Sequence, residues 1–333
     1  MKTFSIEVAE AIKDKNILEL SERMEKNILS EDEKTAISVL DDFAKEIGKS
    51  GRSQENDKLI SELIVKTVEP LLFDPEFSIL YKIFDMGSVG EFDENMFTGL
   101  PKNTIKVYDA VRGGSVPKSY VDPSIFTVQK VALQAETELN YSDLRKNGFK
   151  SIAKMTELVR QALEQEFFWR LFSGVGTAVD ALSGDQNQDA TSGLTLTIAD
   201  TFSRYMSDMS EGEPIAVGLS KYIDQFKRLD GHKDYLSNEL KNEINRLGRL
   251  SLYDGTTLVA IPTAKKTASG KNLMPSQRVF GIAGKIGECN MRGSLRAYED
   301  YDNKAEKVYL KFTGYDFDYV IYYLDKIAQI KFA

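Results

Sequence analysis

Asp185, Asn187 and Asp189 stand at alternate positions in GDQNQDATSG, the spacing at which a calcium loop places its first three oxygen ligands. The pattern does not continue. Its sixth position is Ala190, where the sharp turn needs glycine, and its twelfth is Leu196, where a bidentate glutamate would close the coordination shell. An exposed polar loop is expected instead. Gly174-Val175-Gly176 resembles part of a dinucleotide fingerprint, but it follows a helix rather than a strand and lacks the third glycine. Gly281-Ile282-Ala283-Gly284-Lys285 resembles a phosphate loop with too short a spacing, and Ile286 replaces the hydroxyl residue that would meet magnesium.

Acid–base and nucleophilic chemistry has little to draw on. The single histidine, His232, lies in the turn-like DGHKDY, and no G-x-S-x-G elbow offers it a serine. One histidine and one cysteine, Cys289, cannot build a zinc site of the usual ligands within a chain. Carboxylates gather at Glu299, Asp300 and Asp302, and again at Asp316 and Asp318. Solvated strand ends are the plain reading of both groups, and a general acid–base pair is the alternative. No catalytic residue, cofactor or metal is expected.

These residues belong to a 333-residue chain that is 42% hydrophobic and 28% charged, enough for one large core or two to three smaller ones. The formal net charge of −8 argues against a broad phosphate-binding surface and against a simple sequence-specific DNA binder. The lone cysteine excludes an internal disulfide and fits a reducing compartment. No apolar run approaches the length of a membrane span. The start, MKTFSIEVAEAIKDK, carries acidic residues where a signal peptide would be apolar, so secretion is not supported.

Residues 1 to about 70 read as helical. Ser30-Glu31-Asp32-Glu33 has capping-box spacing, in which the Ser hydroxyl and the Glu side chain each satisfy an orphan backbone amide of the first turn. Ile37, Leu40, Phe43, Ala44 and Ile47 follow at helical spacing, with Gly48 suited to the exit. Leu59, Ile60, Leu63, Ile64 and Val68 mark another helix, and one more is expected between Ile6 and Leu29. GKSGRSQEND between them reads as a connector. On these residues alone the region is a helical subdomain or an oligomerisation segment.

From Gly87 the chain changes character. Gly, Pro, Asn and Asp punctuate short strand-like runs, one at Thr104–Tyr108 and a longer one at Phe126–Leu139. Such a long excursion with few large apolar residues cannot bury much against itself, so its partner is expected on another chain.

Asn147–Phe172 reads as a long helix. Ile152, Met155, Val159, Ala162 and Leu163 form one stripe, opposite Lys154, Glu157, Gln161 and Glu164. After Glu166 the pattern breaks, because Phe167, Phe168, Trp169, Leu171 and Phe172 cannot share one face. A helix covered on one side becomes covered all round, as if passing from the edge of one domain into the junction with another. Phe167, Phe168, Trp169 and Phe172 are the expected inter-domain packing residues. GVGTAVDALSGDQNQDATSG then reads as a loop. Helices are expected at 198–209, 220–229 and 238–247, with strands at Ile215–Val217 and Thr257–Ile261. KKTASGKNLMP reads as a basic exposed loop, and terminal strands are expected at Arg278–Ile286, Ser294–Tyr298, Val308–Phe312, Tyr319–Leu324 and Ile327–Phe332.

The order of these pieces resembles a known family. A helical start and a long β-excursion are followed by VQKVALQAETELNYSDLRKNG, the helix ending EFFWRLFSG, and a small α/β region closing with GRLSLYDGTTLVAIPT. Over roughly residues 70–333 this resembles the major capsid protein fold of tailed double-stranded-DNA bacteriophages, which encapsulin shells share. The resemblance implies an α+β fold. It would comprise a helical N-terminal arm or scaffold-like segment at 1–75, an extended β-loop with flanks at 76–145, and a peripheral domain with its spine helix at 146–194. An axial domain would follow at 195–262, and the return strands of the peripheral sheet at 263–333. Arg112, Gly113, Gly114, Lys118 and Tyr120 would lie in the loop that reaches a neighbouring subunit. Some members lose an N-terminal scaffolding segment to a protease; a chain beginning at Met1 favours a retained arm or an immature form. Some members crosslink a loop lysine, and Lys102, Lys106, Lys118 and Lys130 are all candidates by position.

The implied function is structural: a homo-oligomer of pentamers and hexamers in an icosahedral head, enclosing DNA without sequence-specific binding. Portal, scaffold and decoration proteins would be partners, no membrane would be involved, and the site would be the virion after assembly in the host cytoplasm. An encapsulin-type shell around a protein cargo is the nearest rival. An α/β hydrolase or transferase using carboxylates near Asp300 and Asp316 is the rival from another class.

Overall fold

The structure, a computed structural model, describes residues 17–26, 28–50, 58, 60–65, 78–91, 97, 128–210, 212–229, 251–264, 266, 270–300 and 307–333. The expected strand at Thr104–Tyr108, the helix at 238–247, His232, and loop residues Arg112, Gly113, Gly114, Lys118 and Tyr120 lie outside the described residues.

The first elements are helices α1 (Ile17–Glu25) and α2 (Glu31–Ser50). The capping box at the start of α2 is formed: the Glu33 amide donates to Ser30 Oγ at 3.3 Å and the Ser30 amide to Glu33 Oε2 at 2.8 Å. The helix runs through Gly48 rather than ending there. Residues 60–65 are helical, and a short helix α3 (Ser78–Ile83) leads directly into strand β1 (Phe84–Val89). Neither α3 nor β1 was marked by the hydrophobic pattern.

Strand β2 (Gln129–Asn140) turns into α4 (Tyr141–Asn147). Gly148 then breaks the path at φ 51°, and the long helix α5 (Phe149–Asp180) follows. Its 32 residues make it about 48 Å long. The expected stripe is its buried face, with Ile152, Met155, Val159 and Leu163 in the core. The expectation of a loop after Phe172 is corrected: α5 continues for eight more residues through GVGTAVD.

Beyond α5 come β3 (Asn187–Ala190), α6 (Leu196–Met209), β4 (Ile215–Leu219) and α7 (Ser220–Ile223). After them follow β5 (Leu252–Tyr253), β6 (Thr256–Ile261), β7 (Arg278–Ile282), β8 (Gly287–Arg292), β9 (Arg296–Asp300), β10 (Lys307–Ile321) and β11 (Ile327–Phe332). Two expectations are revised here. The run Arg278–Ile286 is a strand and a connector, with the separate strand β8 beyond it. The two strands expected at 308–312 and 319–324 are one 15-residue strand. A bulge between Phe312 and Tyr315 interrupts its pairing with β2, and Gly314 takes φ 88° there.

Two sheets result. The five-stranded one has the order β1-β8-β10-β2, with β9 beside the first half of β10. The six-stranded one has the order β3-β11-β7-β4-β6-β5. Tyr315, Phe317 and Tyr319 alternate along β10 with Asp316 and Asp318, so the apolar ones face α5 and the acidic ones the other side. One continuous hydrophobic core joins both sheets, α5 and the N-terminal helices. The fold is α+β.

Candidate functional site

With no catalytic constellation in the sequence, the place where the two sheets meet is the candidate site. Three connections cross there: α5, residues 283–286 between β7 and β8, and residues 322–326 between β10 and β11. The two short connectors are laced together. The Ala283 amide donates to the Lys326 carbonyl at 2.9 Å, and the amides of Tyr322 and Tyr323 both donate to the Ile286 carbonyl. This is why a single apolar run from 278 to 286 could not be one strand: the chain leaves one sheet and enters the other within four residues.

The aromatic cluster on α5 has a side for each sheet. Phe167 meets Phe317 of β10 edge to face, with centroids 4.5 Å apart, and Tyr315 at 5.8 Å. Phe172 stacks on Phe280 of β7 at 6.2 Å. Five residues of helix separate the two phenylalanines, which is about 140° around the axis and about 7.5 Å along it. Phe168 is partly buried and lies parallel to Phe172 at 6.3 Å. Trp169 is also only partly buried, and Lys271 Nζ sits 4.1 Å above its ring. Lys271, in the stretch after β6, therefore lies against α5 here. Beside Trp169 runs an open groove of about 680 Å³, lined by Lys130, Arg170, Gly174, Tyr319 and Leu324.

The glycines that resembled a nucleotide fingerprint serve this crossing. A Cβ on Gly174 would run into the Tyr319 hydroxyl, and one on Gly176 would press at 3.2–3.3 Å on Arg278 and Phe280. Their missing side chains let the last turns of α5 lie close against both sheets. That packing offsets the conformational cost of glycine inside a helix, about 1 kcal/mol each, and explains why the helix does not end at GVG.

Two polar knots flank the seam. Asp180, at the end of α5, accepts hydrogen bonds from Arg278, Gln329 and Lys331 at 2.9–3.1 Å. Partial burial works against its ionisation, but these donors outweigh it and hold the carboxyl at about 2. Gln329, fully buried, also donates to Asn187. On the far face of the five-stranded sheet, Arg292 grips buried Asp318 through Nε at 3.1 Å and Nη2 at 2.7 Å. Arg292 also donates to the Glu91 carbonyl, and Arg296 pairs with the Glu91 carboxylate. Asp318 is thus not part of a solvated strand end. Burial, with Asp318 and Glu91 close by, raises the carboxyl of neighbouring Asp316.

The backbone positions that carry the two acids of the enzymatic alternative stand far apart. Asp300 pairs with Tyr309, seven residues along β10 from Asp316, which separates the two by roughly 20 Å. Glycosidase carboxyl pairs stand within about 10 Å. Asn187 and Asp189 lie in β3, and among the described residues no group of three or more His, Cys, Asp or Glu could hold a metal ion. Burial, with Asp318 adding to it, pushes the Cys289 thiol up to about 12, so it is unreactive. Among the described residues no helix is long and apolar enough to cross a membrane. The sequence reading missed the Arg292–Asp318 pair and the Asp180 knot. Only the alternation YDFDY gave a signal for the former, by placing two acids on the face opposite three aromatics.

The comparisons with known proteins agree with this architecture. The family described as "SPbeta prophage-derived putative capsid protein YonB" matches residues 5–331. No relative among curated proteins matches. Among solved structures, the satellite phage P4 procapsid with its size determination protein superposes with a TM-score of 0.50 at 11% identity, over 75% of this chain and 86% of that one. The capsid of cyanophage P-SCSP1u aligns over 76% and 88% at 8% identity, with a TM-score of 0.45. The SrpI encapsulin of Synechococcus elongatus PCC 7942 aligns over 61% and 73% at 14% identity, with a TM-score of 0.38. A match across nearly the whole chain, on a fold shared with a phage procapsid, places this protein in the YonB family of phage capsid proteins.

Proposed function

We propose that this capsid protein is the repeating shell subunit of a phage head: copies assemble as pentamers and hexamers into a closed icosahedral container for double-stranded DNA. The observation that supports it most is the seam on α5. Phe167 and Phe172 anchor one stiff helix to two different sheets. A closed shell repeats heterologous contacts at fixed angles, so a subunit whose two halves are held at a set angle suits that task.

In this reading residues 146–194 supply the peripheral domain and 195–262 the axial one. Phe167, Phe168, Trp169 and Phe172 set the angle between them. Arg112, Gly113, Gly114, Lys118 and Tyr120 reach a neighbouring subunit. The net charge of −8 favours a container wall that does not bind DNA tightly. Portal, scaffold and decoration proteins are the expected partners, assembly takes place in the host cytoplasm, and the role is structural rather than enzymatic.

Electron microscopy of the overexpressed, purified protein tests this. Closed shells with five-fold and six-fold capsomers are expected, and nuclease-protected DNA is expected in particles from infected cells. A stable monomer that forms no assemblies, with or without the phage's other head proteins, would overturn the reading.

A further inference from the structure

The N-terminal helices are built into the body of the subunit. Leu40, Ala44, Ile47, Ile60 and Ile64 are each at most 3% exposed, in the same core as Leu144, Phe149, Ile152 and Val159. Helix α2 lies along α4 and α5, and α1 packs on α5 as well. A hydrogen bond between the two layers reinforces the packing. Helix α5 starts after Gly148, which offers no side chain to cap its first turn. The Asp41 carboxylate of α2 takes that place, accepting from the Phe149 amide at 3.1 Å, while Lys45 holds the same carboxylate at 2.5 Å. At Gly148, with φ 51°, any Cβ would collide with Asp41. The backbone of the long helix and the N-terminal layer are thus shaped to each other.

We infer that helices α1 and α2 and the helical residues 60–65 are a permanent wall of the folded subunit and stay with it in the finished particle, rather than forming a scaffold segment that is removed. Removing them would uncover one side of α4 and the first half of α5, expose fully buried residues such as Leu144 and Phe149, and leave the first turn of α5 uncapped. The folding part of the inference stands whether or not the protein builds shells; only its place in the particle rests on the proposed function.

Three measurements decide it. Deletion of residues 1–65 is expected to give insoluble protein, or a Tm lower by more than about 10 °C with strong binding of an apolar dye. A soluble deletion variant with the Tm of the full chain and no added dye binding would overturn the inference. In the full chain, Asp41→Ala is expected to lower the Tm by about 2–4 °C, and an unchanged Tm would remove the capping role. Intact mass of the subunit from purified particles is expected to include residues 17–65, and a subunit beginning after Ile64 would overturn retention. If no particles form at all, the shell reading fails, while the deletion and Asp41→Ala results still decide the rest.

Discussion

Phe172 of α5 lies stacked on Phe280 in the six-stranded sheet, with ring centroids 6.2 Å apart and planes inclined by 16°. Both rings are among the largest fully buried side chains. Five residues earlier on the same helix, Phe167 is fixed on the other sheet by Phe317. The relative orientation of the two sheets is therefore set by side chains five residues apart on one stiff element.

Truncating that contact separates stability from shape. Phe172→Ala should cost about 3–5 kcal/mol by leaving a cavity in the core, read as a lower urea midpoint. Trp169→Ala removes a partly exposed ring and its contact with Lys271, so the fold should survive while particle assembly or particle shape changes. Normal particles by electron microscopy from Trp169→Ala would sink the role given to that residue.

Gly174 should tolerate no side chain. Gly174→Ala places a methyl group against Tyr319 and should lower stability by roughly 1–3 kcal/mol, although alanine is the better helix former. Gly212→Ala, where an added Cβ would meet no atom within 4 Å, is the control and should stay within about 0.5 kcal/mol of the parent. Thermal unfolding of the two variants side by side tests the argument.

Arg292→Ala removes both guanidinium hydrogen bonds from a carboxylate that is 4% exposed, and should destabilise by about 3–5 kcal/mol. The double replacement Arg292→Met with Asp318→Leu should recover part of that loss, because no charge then remains buried. Equal loss in the single and double variants, measured by chemical denaturation, would show that the pair's geometry and not its charge matters.

Acid should loosen the end of α5. The carboxyl of Asp180 lies lower in the folded chain than its ordinary value of 3.8, at about 2. Its contribution is therefore complete above the ordinary value and is lost as the pH falls through about 2. Asp180→Asn should flatten the stability profile across that interval when urea midpoints are followed downward from about pH 5. Asp316 has the opposite sign: its carboxyl is raised, so protonation favours the folded state, and Asp316→Asn should not reproduce the flattening seen with Asp180→Asn.

Features whose cause lies within a few residues were legible in the sequence. The Ser30–Glu33 box, the stripe Ile152–Met155–Val159–Leu163 and the terminal strand at Ile327–Phe332 all follow from local hydrogen bonding or hydrophobic period. The all-round apolar end of α5 was visible too, as a change in that period after Glu166. The order of elements was enough to suggest the capsid family.

Elsewhere distant partners override local preference, and packing sets the outcome. Glycine 174 and 176 read as a helix stop until Tyr319 and Phe280 are seen pressed against them. The run 278–286 reads as one strand until it passes between two sheets whose strands are remote in the chain. Asp318 looks like a solvent-facing acid until Arg292 is placed across the β8–β10 pair, and Asp41 like one more surface charge on α2 until Phe149, 108 residues away, turns its amide toward it. Periodicity records which side of an element is covered. It carries no record of what covers it, because that partner is brought near by folding and not by the chain.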